Sequence, residues 1–334
     1  MFMKKILILT ILFFTSFPLL SQTTDEHNCY TIIVGKDATF DGSVIVGHNE
    51  DDHGEMLVNW FKVPGKKFTE SDSISLINGT KIKQNPKTNS YFRFQVTNQK
   101  FGDGFVNRHS LVICSNKSIS KEDTAKGNIS HYFRRIIAER AKSAYDAVKL
   151  GGKLIETLGY DSYGRTYTFA GKNEAWVFCA VGGKHWIAKR VPDDHIVIIP
   201  NYYTIQEVKL DDKTNVLSSS GLIEYAVKRG WYEKDSTKTF NFREVFGDPE
   251  VNKARYNIPR HIVGLNYFSE EQYEENDTFP FSFTPSMLVT LEDIKKVLTN
   301  HYERSEYFSP PAKGNVHQSE IHPICAPSTQ FSFI

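Results

Sequence analysis

The chain has 334 residues, 40% hydrophobic and 24% charged, proportions ordinary for a globular protein able to bury a substantial core. A formal net charge of +1, with no long basic run beyond the extreme N-terminus, argues against a nucleic-acid partner, which needs a basic stripe. Four cysteines are too few for a disulfide scaffold of this length, and none of their spacings matches a zinc motif.

In chain order, Lys4 and Lys5 precede an almost unbroken apolar run from Ile6 to Leu20, followed by Ser21 and Gln22. That is the layout of a secretory signal peptide, and the run is short for a membrane span. The reading therefore expects a signal peptide over 1–21, a short propeptide over 22–28, and one domain over 29–334. It places the mature protein outside the cytoplasm, periplasmic or extracellular, with no membrane attachment once the signal is removed.

Tyr30 to Lys36 is rich in β-branched residues and predicts a strand, as does Val44 to Asn49; Asp41-Gly42-Ser43 between them predicts a hairpin turn. Further strands are expected within the polar stretch from Glu55 to Lys100, including Tyr91 to Val96, and a buried one at Ser110 to Ser115. Phe133, Ile136, Ile137 and Ala141 recur at helical spacing, and a second helix is expected from Ala144 to Leu158, weakened locally by Gly151-Gly152. Strands follow at Thr166 to Ala170, Ala175 to Val181, His185 to Arg190 and Ile196 to Ile199, then helices at Leu222 to Arg229 and Leu291 to Asn300. Helices grouped between blocks of strands, rather than alternating with them, predict an α+β fold with mostly antiparallel pairing.

Cys29 stands just ahead of the first strand. A cysteine exposed there as a new N-terminus would carry a strong nucleophile and, on the same residue, an amine able to take its proton. The bland alternative is a structural cysteine, the reading given to Cys114 and Cys179 within apolar strands.

Residues Cys29 to Ser43, followed by Gly47-His48-Asn49-Glu50-Asp51, closely resemble the opening of the dipeptidase A/secernin family of cysteine peptidases, N-terminal-nucleophile hydrolases related to penicillin V acylase and bile salt hydrolase. The resemblance continues through Gly164 to Thr168, Gly183 to Asp194, Ile199 to Ile205 and Ser328 to Phe331. It implies a four-layer αββα sandwich and hydrolysis of dipeptides, with a small peptide as substrate and no cofactor. By matched position it implies Cys29 as nucleophile, Asp51 holding the α-amine, Asn116 as oxyanion donor and Asn201 as a second polar residue of the site. Arg260 is matched to a distal arginine, with Arg255 competing for that place.

Two departures stand out. His48 replaces the family's arginine near the substrate, and histidine cannot match a permanent two-pronged cation, so a weakened or pH-dependent activity is expected. The chain also stops at Phe331 to Ile334, inside an apolar run, whereas family members are usually longer; a domain cut short at its C-terminus is one expectation. The cluster from His48 to His53 reads as a polar strand-end loop rather than a metal site. His131 and His185, beside apolar residues, read as structural histidines. Two other functions stay open: an N-acyl amide hydrolase of the acylase type, and a catalytically inactive exported binding protein.

Overall fold

A computed structural model describes residues 28–334, apart from 53, 236, 311–314 and 318. The expected signal peptide and residues 22–27 of the expected propeptide lie outside the described residues; Asn28 is described and buried.

Two antiparallel sheets face one another. A four-stranded sheet has the spatial order Ile196–Ile199, Tyr30–Val34, Ile45–Asp51, Thr329–Phe333. An eight-stranded sheet runs Val216–Ser218, Trp186–Val191, Ala175–Gly183, Tyr160–Ala170, Val112–Lys117, Gly104–Asn107, Tyr91–Val96, Val58–Val63. Alternation along each strand builds three apolar layers from one set of residues. Ile33, Val46, Val197 and Ile199 point between the sheets, where they meet Cys114, Val177, Cys179 and Ile187. Their neighbours Ile32, Ile45 and Ile198 point outward onto Ile262 and Leu265 of the helix Ile258–Phe268 and Ile294 and Val297 of the helix Leu291–Leu298. On the far side, Ile113, Phe169 and Phe178 meet Phe133, Ile137 and Val148 of the helices Tyr132–Arg140 and Ala144–Leu158. The result is helix, sheet, sheet, helix, in agreement with the αββα expectation. Because both faces are covered, Tyr30–Val34 and Ala175–Gly183 are buried at every position, which is why they read as solid apolar runs.

Several expectations change in detail. The strand expected from Thr166 begins at Tyr160. The helix Ile258–Phe268 was not foreseen; Pro259 fits its first turn, where a missing N–H costs nothing. The two glycines expected to weaken the helix Ala144–Leu158 allow close packing instead. A Cβ on Gly152 would lie 2.2 Å from the Trp186 ring, so only glycine lets this helix approach the sheet there. The strand expected to end at Asn49 runs on to Asp51, so His48 to Asp51 are its buried end rather than a polar strand-end loop.

Candidate active site

Cys29 enters the four-stranded sheet beside the end of Ile45–Asp51, since Tyr30 pairs with Asn49 and Thr31 with His48. The pairing puts the Cys29 thiol 3.5 Å from Glu50 Oε1 and 3.9 Å from the Asp51 carbonyl oxygen. A cavity of about 310 Å³ opens on the thiol. Its wall combines the carboxylates of Glu50, Asp51, Asp52 and Asp103 with the cations Lys117, Arg134 and Arg165, and also includes His131, Phe101 and Gln99.

Distant segments supply these groups. Arg134 comes from the helix Tyr132–Arg140, and Lys117 faces Arg165 across adjacent strands. Like charges placed so are unfavourable unless carboxylates offset them. Arg134 pairs with Asp103 at 3.1 Å, and both arginines donate to Ser115 Oγ, at 2.6 and 3.2 Å. Burial and the nearby Glu50 raise the Asp103 carboxyl to about 7, against the pull of Arg134 and Arg165. Burial and the same two arginines push His131 down to about 4, and its ring stacks on Phe101 with centroids 4.1 Å apart. His131, read from the sequence as structural, stacks on Phe101 and lines the cavity. For the Cys29 thiol, burial and the carboxylates of Glu50 and Asp51 raise the pKa well above the ordinary value. With Asn28 attached, the sulfur is a neutral thiol.

The six residues singled out in the sequence divide into two groups. Cys29 and Asp51 line the cavity; His48, Asn116, Asn201 and Arg260 do not, and form the frame behind it. Asp51 accepts from Thr329 Oγ1 at 2.6 Å and lies 3.5 Å from His322 Nε2. His48 is fully buried, its Nε2 3.0 Å from Glu50 Oε2 and its Nδ1 2.7 Å from Thr31 Oγ1. Thr31 in turn donates to Asn116 Oδ1 at 2.6 Å, and Asn116 Nδ2 donates to the Ile199 carbonyl at 2.9 Å. Asn116 thus ties three strands together. Asn201 accepts from Arg260 Nη2 at 2.9 Å and donates to the Lys117 carbonyl at 3.2 Å. Arg260, not Arg255, reaches Cys29: its Nη1 donates to the carbonyls of Asn28 and Cys29.

The expected substrate contact of His48 is thus replaced by a contact with Glu50. Its expected pH sensitivity is altered too. Burial alone would lower the His48 pKa, but the Cys114 and Glu50 side chains outweigh it and hold it up to about 10. The Glu50 carboxyl is shifted down despite its burial, chiefly by His48. An imidazolium–carboxylate pair is therefore the state near neutral pH, and histidine here carries the charge that the family's arginine would carry.

Cys29, His48 and Glu50 also place three metal-ligating atoms within 4.8 Å of one another. Both His48 nitrogens already have partners in Thr31 and Glu50, and a protonated imidazole has no lone pair to give a metal.

Comparison with known proteins bears on this arrangement. Dipeptidase A of Lactobacillus helveticus is 28% identical over 302 residues, covering 84% of this chain and 63% of that one. A dipeptidase of Bifidobacterium longum is 29% identical over 319 residues, covering 84% and 60% respectively. The chain thus spans roughly three fifths of the length of these curated relatives. Among solved structures, an N-acylethanolamine-hydrolyzing acid amidase ortholog of Caenorhabditis elegans aligns over 92% of this chain and 99% of that one, with 12% identity and a TM-score of 0.41. The model of peptidase family C69 matches residues 28–334, from the residue ahead of the thiol to the strand beside Asp51. By that match the chain belongs to peptidase family C69.

Proposed function

We propose that the chain is an exported cysteine-type dipeptidase that hydrolyses unblocked dipeptides through the thiol and α-amine of Cys29. The observation that carries this reading is the charge of both signs around the Cys29 cavity. An unblocked dipeptide is a zwitterion. The guanidiniums of Arg134 and Arg165 suit its carboxylate, and the Asp52 carboxylate suits its ammonium. An N-acyl amide with a large apolar acyl part would need an apolar wall, whereas Phe101 is the one large apolar side chain among the described lining residues. The names of the curated relatives support the same substrate class.

In the proposed reaction the Cys29 sulfur attacks the scissile carbonyl while its proton passes to the α-amine. Asp51, at the cavity edge, holds that amine. The oxyanion takes its donors from groups at the cavity wall; Asn116 and Asn201, matched to donors by the resemblance, stand behind that wall and hold it through the Ile199 and Lys117 carbonyls. The peptide amine leaves with a proton, and water then hydrolyses the thioester. While Asn28 is attached the Cys29 nitrogen is an amide and cannot serve as base, so cleavage between Asn28 and Cys29 comes first. The Lys4-Lys5 pair and the apolar run behind it support export, which cell fractionation checks.

The mature protein is expected to hydrolyse unblocked dipeptides faster than conjugated bile salts or penicillin V in side-by-side assays. The reverse ranking would move the assignment to N-acyl amides.

A further inference from the structure

Away from the cavity, three metal-ligating side chains from separate stretches of chain converge. His301 follows the helix Leu291–Leu298, His317 lies further along, and Cys325 precedes the strand Thr329–Phe333. His301 Nε2 lies 3.2 Å from His317 Nδ1, and Cys325 Sγ lies 4.0 Å from the same Nδ1. All three donor atoms lie within 4.8 Å of one another, and each residue is partly buried. We propose that His301, His317 and Cys325 form a binding site for a borderline-soft divalent ion of the zinc class, which fastens the segment leading into the last strand to the end of the helix Leu291–Leu298.

The distances fit such an ion. Tetrahedral zinc, with Zn–N about 2.0–2.1 Å and Zn–S about 2.3 Å, sets two nitrogen ligands about 3.3 Å apart and a nitrogen and a sulfur about 3.6 Å apart. The donor set fits as well: two imidazoles and a thiolate suit zinc, whereas magnesium and calcium seek oxygen. The third argument concerns the proton on His301. Its Nδ1 lies 3.0 Å from Glu303 Oε1, which places the ring proton on Nδ1 and aims the Nε2 lone pair at the other two ligands. A carboxylate behind a histidine in this way is the usual support of a metal ligand.

The surrounding backbone is already held in position. Asn49 Nδ2 donates to the carbonyls of Leu298 and Ile324, each at 2.9 Å, and Cys325 N donates to the Asn300 carbonyl at 3.1 Å. His301 and Cys325 therefore keep their places without an ion, and three ligands leave the fourth tetrahedral position to water. In the ion-free state a proton on His317 Nδ1 serves the Cys325 carbonyl, 3.1 Å away, or His301. Binding displaces that proton and the thiol proton. The same segment carries His322, which contacts Asp51, so an ion here also steadies one flank of the cavity.

The test uses the full chain carrying Cys29→Ala, which removes the cavity thiol; Cys114 and Cys179 are fully buried. Titration with cobalt(II) is expected to give one equivalent of binding and a thiolate-to-cobalt charge-transfer band, which zinc(II) then displaces. Adding Cys325→Ser should abolish the band, and adding Glu303→Gln should weaken zinc binding about 10–100-fold. In a second measurement, independent of any variant at the ligands, zinc should protect Cys325 from iodoacetamide, read by peptide mass mapping. A thiolate band that survives Cys325→Ser, or a Cys325 alkylated equally fast with and without zinc, overturns the proposal.

Discussion

Arg260 Nη1 donates to the Asn28 carbonyl at 2.5 Å and to the Cys29 carbonyl at 3.3 Å, so a buried cation rests on the peptide bond that must break for Cys29 to become the N-terminus. The same guanidinium holds Asn201 and Asn257 through Nη2, and Nε donates to the Tyr256 carbonyl. Lysine offers the charge but not this fork. Arg260→Lys is therefore expected to slow removal of the leader about tenfold or more, the loss of one charge-assisted hydrogen bond being worth at least about 1.4 kcal/mol. Intact-mass time courses of the exported protein check this; unchanged maturation would leave Arg260 a purely architectural role.

Maturation itself is testable at the nucleophile. Wild-type protein is expected to start at Cys29, and Cys29→Ala to keep its extension and lose all peptidase activity. If the alanine variant still loses the extension, another protease does the trimming. Full activity with the extension attached would end the N-terminal-nucleophile mechanism.

If histidine at position 48 weakened activity, His48→Arg would restore it; the burial of His48 points the other way. The imidazole has no exposed surface and, with a pKa held up to about 10, is already charged at neutral pH. His48→Arg gains no charge and overfills its slot, so activity should fall across pH 6–9. The stability linkage has a definite sign. A histidine raised from its unfolded value contributes stability that is fully present below about 6.5 and is lost as pH rises through about 10. His48→Gln should thus be clearly less stable than wild type at pH 6, with the gap in melting temperature closing toward pH 10. A gap independent of pH would mean that His48 is neutral.

Asp103 supplies a slope of the same sign over a lower pH window. Its carboxyl, raised to about 7, holds a proton between about pH 4 and 7, where the unfolded chain has released it. Stability should fall as pH rises across that window, and Asp103→Asn should remove that part of the fall, each kcal/mol appearing as roughly 2–4 °C in melting temperature. Because Asp103 pairs with Arg134 in the cavity wall, kcat/KM should also inflect near pH 7 in wild type and lose that inflection in Asp103→Asn.

Much of this molecule is local in its logic. The β-branched and apolar runs at Tyr30–Val34 and Ala175–Gly183, the helical spacing around Phe133, and the turn at Asp41-Gly42-Ser43 are set by neighbours a few residues apart, so the sequence by itself determined these strands, the helices Tyr132–Arg140 and Ala144–Leu158, and the position of Cys29 at the mouth of the first strand. It also placed Glu50 two residues from His48, on the same side of one strand. The charge state of that pair was beyond it, because that depends on burial supplied by the opposing sheet and by Phe333 of the last strand, whose ring lies 5.4 Å from His48. Likewise Arg134, Arg165 and Asp103 carry no local signal: each sits in an ordinary helix, strand or turn, and only the packing of the eight-stranded sheet against its helices turns them into one wall. Charges interact through space over a few ångströms, whatever their separation along the chain. The tertiary structure alone therefore decided which residues surround the thiol, and which of the expected ones stand behind it.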